Sequence, residues 1–257
     1  MHILVTNDDG VQAPGLLALA KAMRAFGKVT VLAPDHNWSV SGHVKTLSRP
    51  LRVRDVLLDD GSPALTTDGA PSDCVALVTL GLLDEKVDLV VSGINPSINI
   101  GHDLTYSGTV TSAMEAAIAE LPAVAFSLNS PGDHLQKKVD YSTTASVAQH
   151  VVAQVIANGL PPKTLLNVNV PYLPEAELKG YQITRQGLRI YKDSLVKRLD
   201  PRGVPYYWIG GEEPTAVLEE GTDFWAITHG YVSITPVQLD LTAYAIMDPM
   251  REWKWAG

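Results

Sequence analysis

His2-Ile3-Leu4-Val5-Thr6-Asn7-Asp8-Asp9-Gly10 decides how the rest of the chain is read. Ile3-Leu4-Val5 has the unbroken apolar character of a buried parallel strand. Asn7 to Gly10 is turn chemistry, and Pro14 stands where it can open a helix at its first position. In open α/β sheets, ligands bind just beyond the carboxyl ends of strands. Two like charges held side by side there repel each other, and a hard divalent cation with oxygen ligands relieves that repulsion. An Asx turn with a helix cap needs only one aspartate, so the pair points to a metal.

Neighbouring patterns narrow the choice. A dinucleotide fold places G-x-G-x-x-G after this strand, whereas the chain has Asn7-Asp8-Asp9-Gly10-Val11-Gln12. No G-x-x-x-x-G-K-[ST] string of a P-loop occurs. An aspartyl-phosphate enzyme uses a carboxylate nucleophile, expected here as Asp-x-Asp with two distinct roles. Adjacent carboxylates weaken that reading without removing it.

The chain has 257 residues, enough for one domain with a sizeable core. Its 46% apolar and 19% charged content suits a soluble globular enzyme. Net charge is −8 with no Lys/Arg cluster, which argues against long nucleic acid as a partner. A small phosphorylated substrate stays open, because a metal and backbone amides supply local positive potential. The single cysteine, Cys74, cannot form an intrachain disulfide, and a reducing cytoplasm is the expected compartment. The first strand begins almost at the first residue, so no signal peptide is expected, and no apolar run suggests a membrane span.

Strand and helix alternate through the first half. Strands are expected at 2–6, 28–33, 88–92 and 123–127, and helices at 14–26, 72–82 and 110–120. In the last helix Val110, Ala113, Met114 and Ala117 form an i, i+3, i+4, i+7 stripe. A long helix at 141–157 ends near Asn158-Gly159 and precedes a strand at 165–170. This alternation predicts a parallel sheet covered by helices on both faces. Residues 47–58, with the turn Asp59-Asp60-Gly61, suggest an inserted hairpin.

After Pro171 the character changes. β-type runs at 182–195 and 206–210 flank Asp200-Pro201-Arg202-Gly203, and Tyr206-Tyr207-Trp208 stand together. They predict an antiparallel arm, either an edge of the same domain or an oligomer arm, since aromatic ribbons need a partner to bury their faces. A strand is expected at 231–236, and the tail Trp253-Lys254-Trp255 is apolar enough to need cover. The chain thus reads as a single α/β domain over 1–257, with a catalytic core at 1–170 and an oligomerisation arm and tail at about 171–257.

Further loops after predicted strands are rich in oxygen ligands and glycine. One is Ala33-Pro34-Asp35-His36-Asn37-Trp38-Ser39-Val40-Ser41-Gly42-His43. Another is Ser92-Gly93-Ile94-Asn95-Pro96-Ser97-Ile98-Asn99-Ile100-Gly101, running on into Asp103-Leu104-Thr105-Tyr106-Ser107-Gly108-Thr109-Val110. Ser107-Gly108-Thr109 feeds a helix N-terminus, whose free amides and positive dipole end suit phosphate. An ordinary N-cap is the plainer role for Ser107 or Thr109.

These motifs resemble the SurE family, the stationary-phase survival proteins that are metal-dependent 5'-nucleotidases. The resemblance rests on Asn7-Asp8-Asp9-Gly10; on Ala33-Pro34-Asp35 with Asn37 and Ser39; on Ser92-Gly93-Ile94-Asn95 with Asn99 and Gly101; and on Tyr106-Ser107-Gly108-Thr109-Val110. It continues in Leu166-Asn167-Val168-Asn169-Val170-Pro171, Thr184-Arg185-Gln186-Gly187 and Gly230-Tyr231-Val232-Ser233-Ile234-Thr235-Pro236. It implies one divalent metal per subunit, Mg2+ or Mn2+, held by Asp8, Asp9, Ser39 and Asn95. Asp8, Asp9 and Asn95 are the implied catalytic residues. Asn99, Ser107, Gly108 and Thr109 are implied to line the phosphate pocket. The resemblance also implies a Rossmann-like three-layer core with a mostly parallel sheet, a C-terminal antiparallel β arm and a swapped tail, assembled as a homodimer or homotetramer. Trp38, Val40, Pro96 and Ser97 depart from the smaller or more basic residues of the family.

The implied chemistry is hydrolysis of nucleoside 5'-monophosphates, with 3'-monophosphates a further substrate class. A broader phosphatase that takes short-chain polyphosphate, and a nucleotide-binding protein without turnover, are the alternatives. His36, His43 and His102 lie on the candidate loops and are placed to protonate a leaving alkoxide, although a solvated loop histidine is the plainer reading of each. His2, His134, His150 and His229 read as structural, and Cys74 as a small core residue.

Overall fold

The computed structural model describes residues 1–131, 138–191, 193–211 and 215–255, so His134 lies outside the described residues. The apolar run at the N-terminus forms β1 (His2–Thr6), buried along its whole length. It is flanked by β2 (Lys28–Pro34) and β5 (Leu89–Asn95), both parallel to it. Outward from β5 come β6 (Ala123–Asn129) and β7 (Thr164–Pro171), again parallel.

On the other side β2 pairs in parallel with β4 (Pro63–Thr67), which pairs antiparallel with β3 (Val53–Leu57). The expected hairpin therefore exists, but it extends the main sheet instead of standing as an insertion. Its first strand starts only at Val53, because Pro50 has no N–H to give to a ladder.

Residues beyond Pro171 also build the main sheet. β13 (Val232–Gln238) runs antiparallel to β7, and β8 (Tyr181–Ile183) lies along β13. Among the described residues the order is β3-β4-β2-β1-β5-β6-β7-β13-β8. The run expected at 182–195 breaks into β8, β9 (Arg189–Ile190) and the start of β10 (Asp193–Leu199), because the chain parts from β13 after Ile183. β10 and β11 (Pro205–Gly211) form the expected antiparallel arm, with Val196 opposite Trp208. β12 (Thr215–Ala216) pairs with β9.

Helices cover both faces, as the alternation requires. Strand pleating sends Ile3 and Val5 to one face, where Leu16, Leu19 and Met23 of α1 (Pro14–Met23) meet Val147 and Val151 of α4 (Ser142–Asn158). Leu4 and Val90 point to the other face, against Cys74 and Val75 of α2 (Pro71–Leu77) and Val110 and Ala113 of α3 (Gly108–Ile118). α5 (Asp223–Thr228) leads into β13, and α6 (Tyr244–Arg251) buries no residue. No helix among the described residues is long and apolar enough to cross a membrane.

The close approach of α1 to β5 depends on Gly15, where a Cβ would stand 2.1 Å from the carbonyl oxygen of Ile94. Gly15→Ala should destabilise the chain by about 1–3 kcal/mol. Thermal unfolding should register this as a fall of roughly 2–4 °C per kcal/mol. An unchanged melting temperature would show that the backbones are not in contact.

Candidate active site

β1 sits between β2 and β5 with Val5 opposite Val31 and Thr6 opposite Ser92. The loops that follow these strands, carrying Asp8, Ser39 and Asn95, therefore leave the same edge of the sheet. Asn7 shapes the first turn: its amide donates to the Gly10 carbonyl at 3.0 Å and its oxygen accepts from the Gly10 N–H at 3.2 Å. The Trp38 N–H donates to the Asp8 carbonyl at 2.7 Å and draws the second loop onto the first. Ser39 follows an Asx turn in which its N–H donates to Asn37 Oδ1 at 2.6 Å, and the residue is exposed. Asn95 donates its amide to the Ser97 carbonyl at 2.6 Å, so its side-chain oxygen is the atom left available to a ligand.

Asp8 is buried and meets the start of α3. The Thr109 hydroxyl donates to Asp8 Oδ1 at 2.5 Å. A Cβ on Gly108 would stand 2.6 Å from the Asp8 Cβ, so only glycine admits this approach. Burial pushes the Asp8 carboxyl up; the Thr109 hydroxyl and the amides of Thr109 and Gly108 offset part of that rise. Burial, and then the charge of Asp8, push the Asp9 carboxyl up to about 7. Ser107 is the N-cap of α3, its Oγ accepting from the Val110 N–H at 3.1 Å.

Asn99 is buried and gives its amide to Ser127 Oγ at 2.8 Å. Its backbone is clamped from β7: the Asn99 N–H donates to Asn169 Oδ1 at 2.9 Å, and the amides of Asn167 and Asn169 donate to the Asn99 carbonyl at 2.8 and 2.9 Å. Sequence reading assigned no role to these asparagines. The signal was present, since two amides at alternate positions of an otherwise apolar strand must find buried partners.

The loop after β2 is pinned at its far end as well. Glu115 of α3 accepts from Lys45 Nζ at 2.6 Å and lies 3.0 Å from His43 Nε2; the His43 bond is the larger cause holding its carboxyl low. His43 is thus engaged away from the site. His36 bonds Asp35 Oδ1 at 2.6 Å, and His102 is exposed beside Tyr191. His2 bonds Thr30 and the Lys86 carbonyl at the opposite end of β1. Burial pushes the Cys74 thiol far up, so it is inert.

The donor set fits a hard divalent ion. Among the described residues no basic side chain stands against Asp8 or Asp9, and both carboxyls are held above their ordinary range. No group of three or more His, Cys, Asp or Glu suited to a metal is found among the described residues. An ion at this edge would therefore be held by the two carboxylates with neutral oxygens of Asn95 and Ser39, a magnesium- or manganese-type set.

The family model described as Survival protein SurE matches residues 3–193. The chain belongs to the SurE family. It is 51% identical over 255 residues to the 5'-nucleotidase SurE of Chloroflexus aggregans, covering 99% of this chain and 100% of that one. It is 49% identical over 253 residues to the 5'-nucleotidase SurE of Geobacter sulfurreducens, with 98% and 94% covered. The crystal structure of the SurE protein from Aquifex aeolicus superposes with a TM-score of 0.83 at 44% identity, covering 98% of each chain. The three-layer, mostly parallel architecture expected from sequence is thus that of a SurE protein.

The cost of holding Asp9 ionised is measurable without turnover. Its folded-state pKa lies above its unfolded value, so its contribution to stability is present below about pH 4 and is lost as pH rises to about 7. In chelator at pH 8, Asp9→Asn should melt higher than the wild-type chain, by roughly 2–4 °C if about 1 kcal/mol is recovered. The gap should shrink toward pH 5. An equal gap at both pH values would mean that Asp9 is not strained by burial.

Proposed function

We propose that this chain is a 5'-nucleotidase that hydrolyses nucleoside 5'-monophosphates to nucleoside and phosphate, with one divalent ion per subunit, Mg2+ or Mn2+. The observation that carries the reading is the pair of buried Asp8 and half-buried Asp9, without a cationic partner among the described residues, at the carboxyl edge of the sheet. The names of relatives about half identical over nearly the full chain support the reaction class.

Bound there, a divalent ion supplies polarisation of the phosphoryl oxygens and a water of lowered pKa. Asp8 is already fixed by Thr109, so its charge requires no rearrangement during the reaction. Asp9 is the looser carboxylate and is suited to orienting the attacking water. Asn99, Ser107, Gly108 and Thr109 would line the phosphate side. Ser107 accepts from the Val110 N–H, which leaves its hydroxyl proton to donate to a phosphate oxygen. Rigid placement of these groups supplies most of the catalysis, since phosphoryl transfer depends on positioning and charge stabilisation.

A panel of substrates and metals tests this reading. Nucleoside 5'-monophosphates should release phosphate with Mg2+ or Mn2+, and EDTA should abolish release reversibly. Asp8→Asn should lose activity by about 100-fold or more while still folding. The same panel, with nucleoside 3'-monophosphates and short polyphosphate, ranks the substrate classes. Full activity after exhaustive metal removal would end the metal reading. Long DNA or RNA should bind weakly at a net charge of −8.

We also infer a homodimer or homotetramer built through the arm and tail. Trp208, Ile209, Trp253 and Trp255 are 65%, 82%, 58% and 62% exposed, more apolar surface than a projecting element leaves bare. Exchange of an identical element between subunits is a low-cost way to cover it. Sedimentation of the intact chain and of a chain ending at Met250 checks this. The intact chain should be oligomeric, and the truncated one should dissociate at higher concentration. A strictly monomeric intact chain at micromolar concentration would refute the proposal.

A further inference from the structure

Residues 99–105 carry Asn99 and lead directly into Ser107 and α3. One side of this segment is clamped by the asparagines of β7. The other side meets a carboxylate that the reaction does not use. Asp223, the first residue of α5, is fully buried at 0% exposure. Its Oδ2 accepts from the Gly101 N–H at 2.8 Å, and its Oδ1 accepts from the N–H groups of Gly187 and Phe224, each at 2.8 Å.

Two glycines make this junction possible. A Cβ on Gly101 would stand 2.6 Å from the Gly187 carbonyl oxygen, and a Cβ on Gly187 would stand 2.9 Å from Asp223 Oδ1. Two polar contacts continue the joint. Arg189 Nε donates to Asp103 Oδ2 at 2.9 Å, with both side chains under one-fifth exposed, and the Tyr191 hydroxyl donates to Asp103 Oδ1. The N–H of Asp223 itself donates to the Arg185 carbonyl at 2.9 Å. Three stretches distant in sequence therefore meet on one carboxylate: the substrate-side loop, the segment 185–191 that leads into the arm, and the start of α5.

A fully buried carboxylate is costly unless its lone pairs find donors, and here three backbone N–H groups supply them. What an acceptor fork adds is a fixed distance between two backbones. We propose that Asp223 is a positioning residue: through Gly101 and Gly187 it sets where Asn99 and Ser107 stand relative to the metal-binding edge, with Arg189–Asp103 as the outer half of the same latch. This rests on the nucleotidase reading for the role of Asn99 and Ser107. Of the proposed metal ligands, Asp8, Asp9 and Ser39 hang on the loops after β1 and β2, which the latch does not bond, while Asn95 closes β5 ahead of the segment that the latch holds at Gly101 and Asp103. With three of the four ligands on other loops, the latch acts on phosphate recognition before metal affinity.

Asp223→Asn separates these effects. It keeps the shape but has one acceptor oxygen for two loops. Three quantities are read on the full-length protein: Mn2+ affinity by titration of the metal alone, inorganic phosphate affinity of the Mn2+-loaded protein by calorimetry, and KM and kcat for adenosine 5'-monophosphate. The expected result is Mn2+ affinity within about twofold of wild type, with phosphate affinity weakened and KM raised on the order of tenfold. A lower melting temperature with unchanged phosphate affinity, KM and kcat would overturn the proposal, since Asp223 would then be structural only. A parallel loss of Mn2+ affinity would overturn it too. If Asp223→Asn does not fold, Arg189→Gln breaks the outer half of the latch from a partly exposed position. Phosphate affinity weakened about threefold or more at unchanged Mn2+ affinity supports the latch, and unchanged phosphate affinity refutes it. Should the wild-type chain hydrolyse no nucleotide, the nucleotidase reading fails by itself, and the phosphate calorimetry still decides the latch.

Discussion

The contact on which the site depends is that of the Asp8 carboxylate with the first turn of α3. It joins the end of β1 to a helix that starts 100 residues later. It exists because Gly108 has no side chain and because the Thr109 hydroxyl and the free amides of the first turn can receive a negative charge. With Asp8 held there, the adjacent Asp9 is forced to share the same poorly solvated edge. Burial there, and then repulsion by its neighbour, raise its proton affinity. Protonation relieves that strain, and a cation bound at this edge would relieve it too. Stability and function are opposed at this point, as they commonly are where ionisable groups are held for a purpose.

Around that contact, four buried polar residues fix two loops, three of them through backbone groups of residues 99–101 and Glu115 through side chains. Asn169 and Asn167 hold Asn99, Asp223 holds Gly101, and Glu115 holds the stretch around His43 and Lys45. The apolar packing of the sheet runs on both faces without these groups. Their common effect is to remove freedom from loops that would otherwise reorganise as charge moves in the reaction. A preorganised polar environment stabilises developing charge without reorganising at the moment of reaction. Loops at the carboxyl edge of an open sheet have few apolar contacts to fix them, so specific acceptors must do that task instead.

Much of this was legible in the chain. β1 was read to the residue, because a continuous apolar run bounded by turn chemistry has one reading. The helix expected at 110–120 starts two residues earlier, since Gly108 and Thr109 are drawn into the first turn by capping at Ser107 and contact with Asp8. The break of the run at 182–195 was not legible. Nothing local marks Gly187 as the point where the chain meets Asp223, which lies 36 residues further on. The same limit hid the clamp on Asn99, whose partners stand 70 residues away. Periodicity reports what a segment buries, but not which distant backbone a buried polar group will meet.

The region beyond Pro171 illustrates how one stretch serves two ends. Its composition suggested an appendage, and β10 and β11 do project as a two-stranded ribbon. The same stretch also sends β13 back beside β7 and delivers Asp223 and Arg189 to the substrate-side loop. An isolated ribbon of two strands is marginal in water, and the exposed rings of Tyr207 and Trp208 leave its faces uncovered within one chain. Whatever orders the ribbon in an assembly acts on the segment 185–191 at its root. That segment is bonded to the loop carrying Asn99 through a buried carboxylate and a nearly buried ion pair, both short and directional. The root of the arm and the loop carrying Asn99 are thereby linked through one continuous path of named contacts, while Asp8 and Asp9 hang on the loop that follows the central strand β1.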